Sequence, residues 1–143
     1  MADAEAFEQL YSGRLWSLLS WQQLTDFWAR IDRGAGWYLY AVGEPLPTTP
    51  ATAQEVGRFI AETDALLRKE HHHDYCGIVY ADDVESPRIV KIYDPNNLGV
   101  SCGFSKNPPP PGWVMSRVPP IEQQRAGPLP EGRRRWWQAL FTR

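Results

Sequence analysis

The sequence predicts an α+β domain, with an antiparallel sheet of about three to five strands and helices packed on one face. Three observations carry this. Tyr75–Ala81 and Ile89–Tyr93 are rich in β-branched and aromatic residues and are joined by the acidic connector Asp82–Pro87, which reads as an antiparallel pair. Val56, Phe59, Ile60, Thr63, Leu66 and Leu67 recur at helical spacing and make one amphipathic stripe. The order of elements is helices, a strand, a helix, then several strands, with one strand–helix–strand unit only, which disfavours a parallel βαβ design.

Taken in order, Ala4 to Leu19 carries Phe7, Leu10, Tyr11, Leu15, Leu18 and Leu19 at helical spacing. Ser20 followed three residues later by Gln23 fits a capping box, so a second helix is expected to present Leu24, Phe27, Trp28 and Ile31, ending at Gly34 and Gly36. One bent helix through Ser20 is the alternative. Trp37–Val42 reads as a strand, broken by Gly43-Glu44-Pro45-Leu46-Pro47. The next helix can start at Thr49-Pro50 or at the capping box Thr52/Glu55, and Arg68 and Lys69 suit the negative end of its dipole.

In the second run of the hairpin, Val90 and Ile92 point one way and Ile89, Lys91 and Tyr93 the other. Asp94-Pro95-Asn96-Asn97 ends that strand in a turn, and Gly99 and Gly103 bracket Cys102 in a loop or short strand. The run Pro108–Pro111 is expected to be extended and stiff, and Trp113–Val118 alternates as a last strand. The core is expected to hold Val56, Phe59, Ile60, Ile78, Tyr80, Val90 and Ile92.

At 143 residues the chain is long enough for one domain with a real core and no disulfide staples. We read residues 1–120 as that domain and 121–143 as a polar, Pro/Gly-containing linker with a short basic-aromatic end. A net charge of −2 gives no global case for nucleic acid. No apolar run is long enough for a membrane span, and the polar N-terminal residues do not read as a signal peptide. With only 2 cysteines, the expectation is a reducing, cytoplasmic setting.

The residue types that carry chemistry are sparse. His71, His72, His73, Asp74 and Cys76, with Cys102 further on, are the one cluster of metal-ligand types, but no CxxC or HxxxH spacing is present. His71, His73, Cys76 and Cys102 are therefore the metal candidates against a polar helix-to-strand junction with Cys76 as a small core residue. A Cys–His nucleophilic pair from the same residues is a second option, without a protease-like signature around either thiol. Asp82, Asp83 and Glu85 read as a solvated turn. Phosphate-cradling and hydrolase motifs are absent, and no cofactor is expected.

The other unusual material is aromatic and basic: 7 Trp and 13 Pro in the chain, and three adjacent arginines beside two tryptophans near its end. Arg133, Arg134, Arg135, Trp136 and Trp137, with Trp113, are the candidate partner-binding residues, since Arg and Trp are enriched where proteins meet. The alternative is a terminal helix docking Trp137, Leu140 and Phe141 on the domain with its arginines solvated. If 133–143 is instead a free docking tail, its deletion leaves the core folded.

The segment HHHDYCGIVYADD…IVKIYDPNNLGVSCG resembles small uncharacterised bacterial proteins associated with nitrogen-fixation or other redox-enzyme genes, over roughly residues 36 to 120. That resemblance implies an accessory role and carries no site residue. The expected function is a small accessory or regulatory protein that binds a larger protein partner, which the resemblance makes a redox enzyme such as a nitrogenase component. The alternative is a metal-binding protein or cysteine-dependent enzyme using His71–His73, Cys76 and Cys102.

Overall fold

A computed structural model describes residues 2–97, 110–125 and 129–141. Its elements are α1 (Ala2–Ser12), β1 (Trp16–Ser17), α2 (Trp21–Arg30), β2 (Tyr38–Ala41), α3 (Ala53–Glu70), β3 (Val79–Ala81), β4 (Ile89–Ile92), a 3-10 turn at Pro95–Asn97, β5 (Trp113–Ser116) and α4 (Glu131–Ala139). The five strands form one antiparallel sheet in the order β1-β3-β4-β5-β2. The architecture is the α+β class that the sequence predicts.

Both capping boxes form. The Ser20 side chain accepts from the Gln23 amide while the Gln23 side chain reaches back to the Ser20 amide, and Thr52 and Glu55 do the same at α3. Each box satisfies two of the amides that a helix start leaves without partners. Of the two possible starts of α3, the chain uses Thr52. The second helix stops at Ile31, before either glycine assigned to end it.

Two expectations are corrected. Ala4–Leu19 is not a single helix: α1 ends at Ser12, and Trp16–Ser17 pairs with Ala81 and Tyr80 as an edge strand. Gly13 marks the break, because a Cβ there would come within 2.6 Å of the Gln9 carbonyl oxygen. The second correction concerns where the helices pack. Strand alternation gives the sheet two faces. On one, Leu39, Ala41, Val79, Val90, Ile92 and Met115 join buried residues of α2, α3 and α4 in the main core. On the other, Tyr40, Val42, Ile89 and Val114 pack with Phe7 of α1. Helices thus cover both faces, three on one and α1 on the other, because the α1 stripe of Phe7, Leu10 and Tyr11 has its own apolar strand residues to cover.

Val56, Phe59, Ile60, Ile78, Val90 and Ile92 are buried as expected, whereas Tyr80 is only half-buried, on the α1 face. β3 starts at Val79 rather than Tyr75, since Gly77 takes a φ of 72°, outside the strand region. The preceding residues still hydrogen-bond toward β1: Cys76 N–H donates to Leu19 at 2.7 Å and Gly77 N–H to Leu18 at 2.9 Å. The chain from Trp16 to Leu19 therefore runs antiparallel to the chain from Ala81 back to Cys76.

The segment 131–141 is docked. Trp137 and Leu140 are in the main core, and Trp137 meets Phe59 edge-on at 6.0 Å between centroids. Residues 121–123 lie along the α1 side: Ile121 packs against that core, and the Gln123 N–H donates to the Tyr40 hydroxyl at 2.9 Å. No helix among the described residues is long and apolar enough to cross a membrane.

Candidate functional site

The histidine triplet follows directly on α3, whose last turn ends at Glu70 with His71 as its C-cap. His71 turns inward: its Nε2 lies 2.9 Å from the Cys76 carbonyl oxygen, so this nitrogen donates and carries the proton. Burial, chiefly, holds its pKa below the ordinary histidine value, with His73 and His72 pushing the same way. His71 is thus a neutral strut between α3 and the approach to β3. Around it stand Trp21, at 6.1 Å between centroids, His73, at 4.7 Å, and Tyr75, at 6.3 Å.

Arg68 closes the other side of this group. Its guanidinium donates to Asp64 at 2.8 Å and to the Thr25 hydroxyl at 2.8 Å, and lies 5.1 Å from the Trp21 ring centre. The Trp21 indole N–H donates to the His73 carbonyl oxygen at 3.1 Å. The result is an open depression of about 350 Å³ lined by Trp21, Arg68, His71, His72, His73 and Asp74.

Cys76 is fully buried, and desolvation, first, raises its thiol pKa, which works against thiolate chemistry. Among the described residues no three His, Cys, Asp or Glu side chains come together in a way that could hold a metal ion. Of the metal candidates, His71 is committed to a backbone carbonyl and Cys76 to the core, and His73 stacks near Tyr75 at 5.3 Å. Cys102, with Gly99 and Gly103, lies outside the described residues.

The acidic connector is a turn device. Asp82 accepts from the amides of Arg88 and Ile89, at 2.8 and 3.0 Å, and pairs with the Arg88 guanidinium. Asp83 accepts from the amides of Glu85 and Ser86, which hold its carboxyl below the usual range.

The C-terminal candidates divide. Arg133 donates to both carboxylate oxygens of Asp94, at 2.8 and 3.0 Å, and to both of Glu70, at 2.6 and 3.1 Å. These bonds, chiefly those to Asp94, raise its proton affinity, and Arg133 lowers the pKa of Glu70 in turn. Arg134 pairs with Glu44 at 3.2 Å, Trp137 is buried, and Trp113 is buried under Trp136 with centroids 5.2 Å apart. Arg133, Trp113 and Trp137 therefore hold the fold together, and their surfaces are turned inward. Arg135 alone of the three arginines is exposed, with Trp136 half-buried beside it.

A surface that sequence reasoning missed lies at the β1 edge. Trp16 is 53% exposed, Leu19 61% and Tyr75 56%, and these are three of the four large hydrophobics so exposed among the described residues. The pairing of 16–19 with 76–81 puts all three along one border of the sheet. Arg14 lies 5.7 Å over the Trp16 ring and frames that border. The signal that could have found it is Gly13, a helix stop three residues before an exposed Trp. Comparison with protein-family models, with curated proteins and with solved structures finds no match for this chain.

Proposed function

We propose that the protein is a small accessory or regulatory protein that binds a larger protein partner, and that it does so through the β1 edge. One observation carries this reading: Trp16 on the edge strand, Leu19 in the chain that continues it and Tyr75 beside Cys76, which hydrogen-bonds to Leu19, are all exposed along one border. Trp and Tyr anchors surrounded by polar groups are the material of interface hot spots. An edge strand also has backbone groups facing outward that a partner strand can meet. Arg14 lies over the Trp16 ring at this border, so the rim has a planar cation for a partner's carboxylate. Isolated exposed apolar residues are ordinary on any protein, but three aligned on one border are not.

The class of partner we propose, a redox enzyme such as a nitrogenase component, rests on the resemblance read in residues 36 to 120. The test is affinity capture from a nitrogen-fixing bacterial extract with the full chain and with a Trp16→Ala/Leu19→Ser/Tyr75→Ser variant. A redox-enzyme subunit should be retained by the first and lost from the second. Retention by both would move the contact elsewhere, with the exposed Arg135 end of α4 the next surface to alter.

A further inference from the structure

The α1 face of the sheet holds an arrangement that goes beyond apolar packing. Of the 15 Lys and Arg residues only three are lysines, at 69, 91 and 106. Lys91 is in mid-β4, opposite Tyr80 on β3 and Val114 on β5. Its Nζ lies 3.6 Å from the ring centre of Tyr11, which is itself stacked on Phe7 at 5.4 Å. Tyr93, two residues on and on the same face, meets Tyr80 edge-on with centroids 5.6 Å apart. Among the described residues no carboxylate is within ion-pair distance of this amine; the acidic group that acts on it is Glu8, from α1. Lys91, Tyr11, Tyr80 and Tyr93 are all half-buried, so the group is sheltered yet reachable.

The contact with Tyr11 fixes the amine over a ring face, as cation–π pairs do, and its half-buried place beside Tyr80 and Tyr93 keeps it at the surface. We propose that Lys91 is a carbonyl-capturing amine, which takes a small aldehyde or ketone as an imine beside Tyr11, Tyr80 and Tyr93. The neutral amine attacks the carbonyl carbon and forms the C–N bond. The phenol of Tyr80 or Tyr93 hydrogen-bonds the carbonyl oxygen as it takes up a proton. The carbinolamine then loses that oxygen as water, leaving the imine: one amine and one carbonyl give one imine and one water, with no oxidant or reductant.

The electrostatics agree with these roles. Desolvation lowers the pKa of Lys91 against a smaller opposing pull from Glu8, so more of the amine is neutral than for an exposed lysine. Burial raises the pKa of Tyr11 and Tyr93, so both phenols keep the proton that a donor needs. The groups around the amine are Glu8 and Tyr11 from α1, Tyr80 from β3 and Tyr93 just after β4, while β5 contributes the apolar Val114.

Lys69, exposed in the last turn of α3, is an internal control in the same molecule. The full chain is treated with glyoxylate and cyanoborohydride at neutral pH to low conversion, and the reduced adducts are mapped by peptide mass spectrometry. Lys91 should be modified faster than Lys69. Lys91→Arg should abolish that adduct and leave the Lys69 rate unchanged. Tyr80→Phe/Tyr93→Phe should slow Lys91 severalfold relative to Lys69. Equal labelling of Lys91 and Lys69 in the unaltered protein, or slower labelling of Lys91, overturns the proposal without reliance on any variant. A Lys91 rate unchanged in the double Phe variant overturns the part given to the tyrosines.

Discussion

Two stretches of this chain look alike in composition and behave differently. Residues 14–21 and residues 133–141 both combine arginine with tryptophan and apolar neighbours. In the second stretch Arg133 meets Asp94 and Glu70, Arg134 meets Glu44, and Trp137 enters the main core. In the first, Arg14 has a tryptophan face beneath it, and Trp16 and Leu19 stand in solvent. The difference comes from the surroundings. The end of α3 and the turn after β4 offer α4 two carboxylates, one of them buried, and Phe59 offers Trp137 a ring edge. Among the described residues the β1 edge has one neighbouring strand and no strand beyond it. An Arg–Trp cluster is a dock in one place and an exposed surface in the other because, among the described residues, carboxylates meet Arg133 and Arg134 and no ion pair is formed by Arg14.

The comparison can be broken most forcefully at α4. Removing residues 131–143 takes away both the Trp137 packing and the Arg133 bonds. We expect it to abolish cooperative thermal unfolding, measured by circular dichroism. A truncated chain that melts like the full one would return this segment to the status of a free tail. Trp137→Ala should cost about 3–5 kcal/mol by denaturant unfolding, as for large buried aromatics. Arg133→Ala leaves the buried Asp94 carboxylate without its partner, and loss of one member of a buried pair costs about 3–5 kcal/mol. Glu70, a half-buried carboxylate, adds less than the buried Asp94.

His71 sharpens the contrast at an intermediate scale. His71→Ala should cost about 1–3 kcal/mol, the penalty of leaving the Cys76 carbonyl without a donor. The pH dependence has a definite sign. His71 is less basic in the fold than in the unfolded chain, so the unfolded chain binds the extra proton. Its contribution is complete above about pH 6.5 and is lost as pH falls through that value toward the lowered one. Unfolding curves from pH 8 to 5 should show a slope that disappears in His71→Gln. Cys76→Ala should cost about 1 kcal/mol or somewhat more and leave the protein folded, because the thiol acts as a small buried group. Elemental analysis showing stoichiometric zinc that vanishes together with the fold in this variant would favour a structural metal.

At the β1 edge the expected stability effects are smallest. Trp16→Ala and Leu19→Ser should each change stability by within about 0.5 kcal/mol, as for other exposed positions, while partner capture is lost. A large loss of stability there would mean that these side chains belong to the core after all.

What the sequence showed well was local. The caps at Ser20 and Thr52, the stripe of α3 and the alternation of β4 depend on residues a few positions apart, and each is present. β1 was hidden because two strand residues sit inside a spacing that also suits a helix: Leu15, Leu18 and Leu19 continue the period set by Phe7 and Leu10. The roles of the arginines were hidden because their partners lie 39 and 63 residues away for Arg133 and 90 for Arg134. Periodicity says that a side chain is exposed or buried on its own element, not which distant carboxylate will face it. Likewise the triplet of histidines looked like one unit, yet only His71 turns inward, because successive residues leave a helix end in different directions.

The strand order β1-β3-β4-β5-β2 bears on how the molecule is made. Both outer strands come early in the chain, and the three between them come later. As a ribosome releases the chain, Trp16–Ser17 and Tyr38–Ala41 emerge with no strand to pair with, until Val79–Ala81 reaches the first and Trp113–Ser116 the second. Closing those pairs means closing long loops first, and such topologies fold slowly. A nascent chain stalled after α3 would carry two unpaired apolar strands, the kind of surface that holdase chaperones recognise and that associates when crowded. Truncated nascent chains should therefore be protease-sensitive until β5 has left the exit tunnel.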